Sequence, residues 1–154
     1  MLNYYSNWES INKKFKALVA NENNMIANMA NASALLYSEL DQINWAGFYI
    51  YQEKELILGP FQGLPACVRI PLGRGVCGKA AYDKKVYLVP DVREFPDHIA
   101  CDQASRSEIV LPIIVDKRLI GVLDIDSPIK ARFGNKDKKN LEKFLNILLK
   151  NTKF

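Results

Sequence analysis

Cysteine is scarce in this sequence: three residues in 154, Cys67, Cys77 and Cys101, spaced C-x9-C-x23-C. No C-x2-C pair occurs, and the single histidine, His98, stands three residues before the last cysteine. The common structural zinc patterns are therefore absent, and no metal is expected. Long apolar runs are missing as well. The longest strongly apolar stretch, Ile109 to Val115, falls far short of the roughly 18 residues of a membrane-spanning helix. The N-terminal MLNYYSNWESINKKF lacks the basic-then-apolar pattern of a secretory signal. The expected compartment is thus the cytoplasm, where thiols are kept reduced and three cysteines are reactive or inert rather than structural staples. Concentrated charge is also lacking. The net charge is +4, with 21 Lys and Arg interspersed among 17 acids. Nucleic-acid binding usually shows as a basic stripe, so neither nucleic acid nor a membrane is an expected partner.

What is present is ordinary globular material, 49% hydrophobic and 25% charged, in a length that suits one domain over residues 1–154. No repeat, low-complexity tract or linker divides it. Amphipathic spacing predicts helices over 7–20 and 23–40, the second with Met25, Met29, Ala32 and Leu36 on one stripe. Strands are expected at 44–52 and 54–62 as a hairpin, at 67–72 and at 86–90. A glycine-rich turn at 73–75 leads into a helix over 76–85 between the last two. Residues 91–106 show no period, and an unpatterned loop of that length in a compact domain is functional or disordered. A second hairpin follows, 108–115 and 118–126 about a tight Asp116-Lys117-Arg118 turn. A closing helix over 135–150 carries Leu141, Phe144, Leu145 and Leu148. The order implies an α+β domain, a largely antiparallel sheet flanked by N- and C-terminal helices.

Chemistry concentrates in three places. The string Gly73 to Lys79, GRGVCGK, approaches a phosphate loop but continues into Ala80, which offers no hydroxyl to magnesium. Cys77, near the start of the expected helix, meets amide N–H groups and the nearby Arg74 and Lys79, a setting that lowers a thiol pKa. The plainer alternative is a small buried cysteine at a tight turn. Cys101 sits among charges, with His98, Arg106 and Glu108 close by in sequence.

The acids are more pointed. Asp124 and Asp126 share a strand face with Ile120 and Val122, because side chains alternate. With Val115 opposite Leu119 across the turn, Glu108 falls opposite Asp126 and Val110 opposite Asp124. Three carboxylates then meet, and they repel one another unless a cation arrives. The plainer alternative is a set of acids facing water at the end of a hairpin. Trp45 and Tyr49 form an aromatic wall, with Gly47 between them leaving open space for an apolar or sulfur-containing group.

The segments NWAGFY (44–49), LGPFQG (58–63), PACVRIPLGRGVCGKAA (65–81), VPDVREFPDHIACD (89–102), SEIVLP (107–112) and GVLDIDSP (121–128) resemble the free methionine-(R)-sulfoxide reductases, a family with a GAF-type fold. They span most of residues 44–128 and all three cysteines. The resemblance implies thiol-dependent reduction of free methionine (R)-sulfoxide through a cysteine sulfenic acid and an intramolecular disulfide, with no cofactor. It implies attack by Cys101, a disulfide with Cys67, and Cys77 as a further active-site thiol. Trp45 and Tyr49 would face the methyl and thioether carbons. Glu108, Asp124 and Asp126 would hold the ammonium and polarise the sulfoxide. Thioredoxin or a similar dithiol would be the reductant, and a homodimer is compatible with the family. The surrounding charges leave a second assignment open, in which Cys77 attacks and Cys101 resolves, because acids near Cys101 should raise its pKa. Two other functions also stay open: a GAF-type small-ligand-binding or redox-sensing module without turnover, and a peroxide-sensing thiol protein.

Overall fold

Helix periodicity at both ends of the chain and strand alternation in the middle build a sheet with a different layer on each face. The computed structural model describes residues 6–154; residues 1–5, part of the stretch read above for a leader signal, lie outside it. Helices α1 (Trp8–Val19) and α2 (Met25–Glu39) are each started by an asparagine side chain. Asn7 accepts from the Ser10 amide at 3.1 Å and Asn24 from the Ala27 amide at 2.9 Å, satisfying donors that a helix start leaves free. The sheet runs β3 (Arg69–Pro71), β2 (Glu55–Gly63), β1 (Trp45–Gln52), β6 (Arg118–Ser127), β5 (Ser107–Val115), β4 (Tyr87–Val89), and every neighbouring pair is antiparallel. Helix α3 (Gly75–Asp83) lies between β3 and β4 in sequence, and α4 (Asn135–Asn151) closes the fold.

Strand parity sorts the interior into two cores. Ala46, Phe48, Ile109, Leu111, Leu123 and Ile125 point to the side covered by α1, α2 and α4. There Phe15 stacks on Phe144 with ring centroids 4.0 Å apart, joining α1 to α4. The stripe of Met29, Ala32 and Leu36 is fully buried on this side, with Met25 partly so. Trp45, Tyr49, Val110 and Val122 point the other way, onto α3. That second face holds the chemistry.

The hairpin of β5 and β6 shows why its acids meet. Below the turn, Glu108 pairs with Asp126 and Val110 with Asp124, as the alternation predicts. At the turn, however, Val115 pairs with Arg118 and Ile114 with Leu119, not Val115 with Leu119. Only Asp116 and Lys117 form the loop, both at positive φ, the tight two-residue hairpin turn. A bulge between Ile113 and Ile114 absorbs the one-residue difference. The extra residue is Ile120, which the bulge turns to the helix-covered side, while Leu119 packs on the α3 side. Ile120 therefore does not share a face with Asp124, contrary to simple alternation.

Other boundaries differ for local reasons. The strand expected at 67–72 shrinks to Arg69–Pro71, so Cys67 precedes it in an irregular segment. Pro90, which has no N–H to give a ladder, lies beyond the end of β4. Helix α3 starts one residue earlier than expected and stops at Lys84, which turns left-handed. The loop 91–106 is irregular apart from a short 3-10 turn, Val92–Glu94. It is nevertheless tied down: Val92 N donates to Arg106 O at 2.8 Å, Arg106 N donates to Ser127 O at 2.7 Å, and the Arg106 guanidinium meets Asp91 at 3.2 Å.

Candidate active site

A cavity opens on the α3 face, and the strands, the helix start and the long loop each contribute one wall. β1 supplies Trp45 and Tyr49, β5 and β6 supply Glu108, Asp124 and Asp126, and the α3 start supplies Cys77. The loop 91–106 closes the remaining side with His98, Ile99 and Cys101. Seven of the eight residues singled out from the sequence thus line one cavity. The eighth, Cys67, lies outside the lining and is bonded to Cys101 in a disulfide across 34 residues, with Cα atoms 5.5 Å apart.

The aromatic wall is fixed by its polar tips. Trp45 Nε1 donates to Leu64 O at 3.2 Å, and Tyr49 Oη donates to Cys67 O at 2.9 Å. Both bonds hold the segment that carries Cys67, so the wall and that cysteine are positioned together. Gly47 does not leave open space. A Cβ there would stand 2.3 Å from Phe61 Cβ, and Trp45 stacks on the Phe61 ring at 5.2 Å. Glycine is required because β2 presses against this point of β1, and the wall is a filled stack with only its outer surface free. Gly47→Ala is accordingly expected to lose about 1–3 kcal/mol, or a few °C in Tm, in thermal denaturation. An unchanged Tm would contradict the close approach.

Two of the acids and the remaining thiol are deeply buried, Cys77 at 5% exposed, Glu108 at 6% and Asp124 at 5%, while Asp126 is half-buried. The Cys77 thiol donates to Glu108 Oε1 at 3.6 Å, and Asp124 Oδ1 has no hydrogen-bond partner. Burial, then the charges of Asp124 and Glu108, push the Cys77 thiol well above its ordinary pKa. This reverses the expectation that the helix start and nearby cations would lower it. Arg74 and Lys79 are exposed, while the acids are buried beside the sulfur, where charge acts most strongly. Burial likewise raises all three carboxylates, and Asp124 is pushed up to about 6. For Glu108 and Asp126, the Asp124 charge adds to burial, and both carboxyls are pushed well above the ordinary carboxylate range. Burial and mutual repulsion thus disfavour three negative charges at once, and they favour the protonated forms of Glu108 and Asp126 beside Asp124. Burial lowers the His98 pKa, leaving that imidazole neutral at the same pH.

Sequence reasoning missed the group that holds the Cys101 loop. Asn44 Nδ2 donates to Asp102 Oδ2 at 2.9 Å and to Ser105 Oγ at 3.1 Å, tying the segment after Cys101 to the entry of β1. No local pattern announces a contact between residues 58 and 61 positions apart. The first turn of α3 was also not placed as a binding element. Gly75 and Val76 line the cavity there beside Arg74, and no side chain caps the helix start.

A family model for the GAF domain matches residues 24–148. The Bacillus subtilis protein YtsP is 59% identical over 140 residues, covering 90% of this chain and 86% of that one. The free methionine-R-sulfoxide reductase of Escherichia coli is 52% identical over 138 residues, covering 90% and 84%. The structure of the Staphylococcus aureus protein fRMsr in complex with substrate superposes with a TM-score of 0.92 at 50% identity, covering 98% of each chain.

Proposed function

The chain belongs to the GAF domain family, among its free methionine-R-sulfoxide reductases, and from that premise we propose that it reduces free methionine (R)-sulfoxide with its own thiols. The observation that carries the mechanism is the Cys67–Cys101 disulfide at the edge of a cavity walled by aromatics and acids. Cys101 attacks the sulfoxide sulfur, the S–O bond breaks, and the oxygen stays on Cys101 as a sulfenic acid while methionine leaves. The sulfoxide gains two electrons and Cys101 loses two. Cys67 then attacks the sulfenic sulfur, water departs, and the disulfide forms. An external dithiol, thioredoxin or one like it, exchanges with that disulfide and restores both thiols. No metal or organic cofactor enters these steps, and the proposed compartment is the cytoplasm, where such dithiols are reduced.

Protonation states favour Cys101 over Cys77 as the nucleophile. Buried among acids, Cys77 keeps its proton and donates a hydrogen bond to Glu108, whereas Cys101 is half-buried on the loop side of the cavity. Were Cys77 to attack and Cys101 to resolve, the product disulfide would join those two residues; the bond present joins Cys101 to Cys67. Cys77 then serves as a thiol that orients Glu108. The ionised Asp124 receives the substrate ammonium, and Glu108 and Asp126, whose burial favours the protonated form, donate to the sulfoxide oxygen as the S–O bond weakens. Trp45 and Tyr49 take the methyl and thioether carbons. The carboxylate lies at the first turn of α3, beside Arg74, where backbone N–H groups and the helix dipole favour an anion. We take residues 1–154 as one such domain, acting alone or as a homodimer.

The direct test of the mechanism is a single turnover without reductant. Fully reduced protein mixed with excess sulfoxide should release about one methionine per chain, lose two thiols, and yield on peptide mapping a Cys67–Cys101 bridge. A bridge to Cys77, or no loss of thiols, would refute the assignment. Acid should also matter. Because the Asp124 pKa is raised to about 6, its charge is present above that pH and lost below it. kcat/KM is expected to fall about tenfold per pH unit below 6, since it reports the free enzyme. Asp124→Asn should lower kcat/KM and remove that inflection; an inflection that persists in this variant belongs to another group.

A further inference from the structure

We propose that Cys77, Glu108 and Asp124 form a zinc site in which the metal and the substrate ammonium compete for the same acids. The three come from α3, β5 and β6, and each offers one ligand atom, all within 4.8 Å of one another. A tetrahedral zinc with Zn–S of about 2.3 Å and Zn–O of about 2.0 Å holds sulfur and oxygen about 3.5 Å apart. The Cys77 Sγ to Glu108 Oε1 distance is 3.6 Å. The sulfur and oxygen are thus already spaced as a tetrahedral edge, so the metal replaces the shared proton with little movement of those two atoms.

A second observation points the same way. Asp124 Oδ1 is buried without a hydrogen-bond partner, and Asp124 lines the cavity at 5% exposure. An orphaned carboxylate oxygen in that position is destabilising unless a cation or donor reaches it. The mixed donor set selects the metal. Magnesium and calcium seek six or more oxygens, whereas one thiolate with two carboxylates suits zinc. All three residues line the cavity, from which water can supply the fourth ligand. Such a set has no local spacing to read because its members lie on three separate elements, and the metal is an inhibitor here, not a cofactor. Protons on Cys77 and Glu108 leave as zinc binds.

The ammonium competition rests on the proposed function; the ligand set does not, and the test separates them. Protein oxidised at Cys67–Cys101 keeps Cys77 as its one free thiol. Titrating that form with Co²⁺ should produce a thiolate-to-cobalt charge-transfer band saturating at about one equivalent and erased by Zn²⁺. Cys77→Ser should lack the band, and Asp124→Asn should bind Co²⁺ on the order of tenfold more weakly. No band in the unmodified protein, or the same band in Cys77→Ser, would overturn the site. Free methionine, which carries the ammonium but no reducible oxygen, should displace cobalt in proportion to its concentration. A band insensitive to methionine would overturn the competition.

Discussion

Cys101→Ser is expected to release no methionine, while Cys67→Ser releases about one equivalent per chain and then stalls. The two thiols differ in where they stand: Cys101 lines the cavity, and Cys67 lies outside the lining. Removing the attacking sulfur leaves a hydroxyl that is far harder to ionise, a loss on the order of 10⁴-fold or more in kcat. Removing the resolving sulfur leaves the first chemical step intact and traps Cys101 as the sulfenic acid. A dimedone-type probe should then label Cys67→Ser after one turnover and leave Cys101→Ser unlabelled. Retention of the first equivalent in Cys101→Ser, with its loss in Cys77→Ser, would move the nucleophile to Cys77.

The second large effect concerns the substrate's charge. N-acetylmethionine sulfoxide keeps the sulfoxide and the carboxylate and replaces the ammonium with a neutral amide. In the proposed complex that leaves Asp124 buried and ionised without its cation, a cost of about 3–5 kcal/mol. At about 1.4 kcal/mol per decade this is a loss of roughly two to four orders of magnitude in kcat/KM. Two features favour the smaller figure. Burial favours the protonated forms of Glu108 and Asp126, so fewer than three charges are abandoned, and with a pKa of about 6 Asp124 can itself take a proton. Methionine sulfoxide inside a peptide should fail by at least as much. Comparable kcat/KM for free and acetylated compounds would show that these acids hold no ammonium.

The meeting of Glu108, Asp124 and Asp126 was legible because it depends only on period-two alternation and one hairpin register. The bulge that carries Ile120 to the other face was not, since it arises from two tight positive-φ positions at the turn working against a register fixed lower down. Gly47 misled for a related reason: a strand glycine signals either a gap or a close neighbour, and the neighbour, Phe61, sits on the partner strand. The Cys77 pKa depended on how deeply the loop 91–106 and the sheet enclose it, which is tertiary and invisible in the string GVCGK. The pairing of Cys67 with Cys101 came from resemblance alone; the spacing of three cysteines does not choose among partners. Asn44, whose contacts hold the Cys101 loop, left no signal at all.

The most direct test of the account is the consumption of each methionine sulfoxide epimer, free and peptide-bound, by the purified protein with dithiothreitol as reductant. The expected result is conversion of the free (R) epimer to methionine, with the (S) epimer and the peptide-bound forms left standing. No turnover of the free (R) epimer by a protein whose Cys67 and Cys101 are reduced would contradict it.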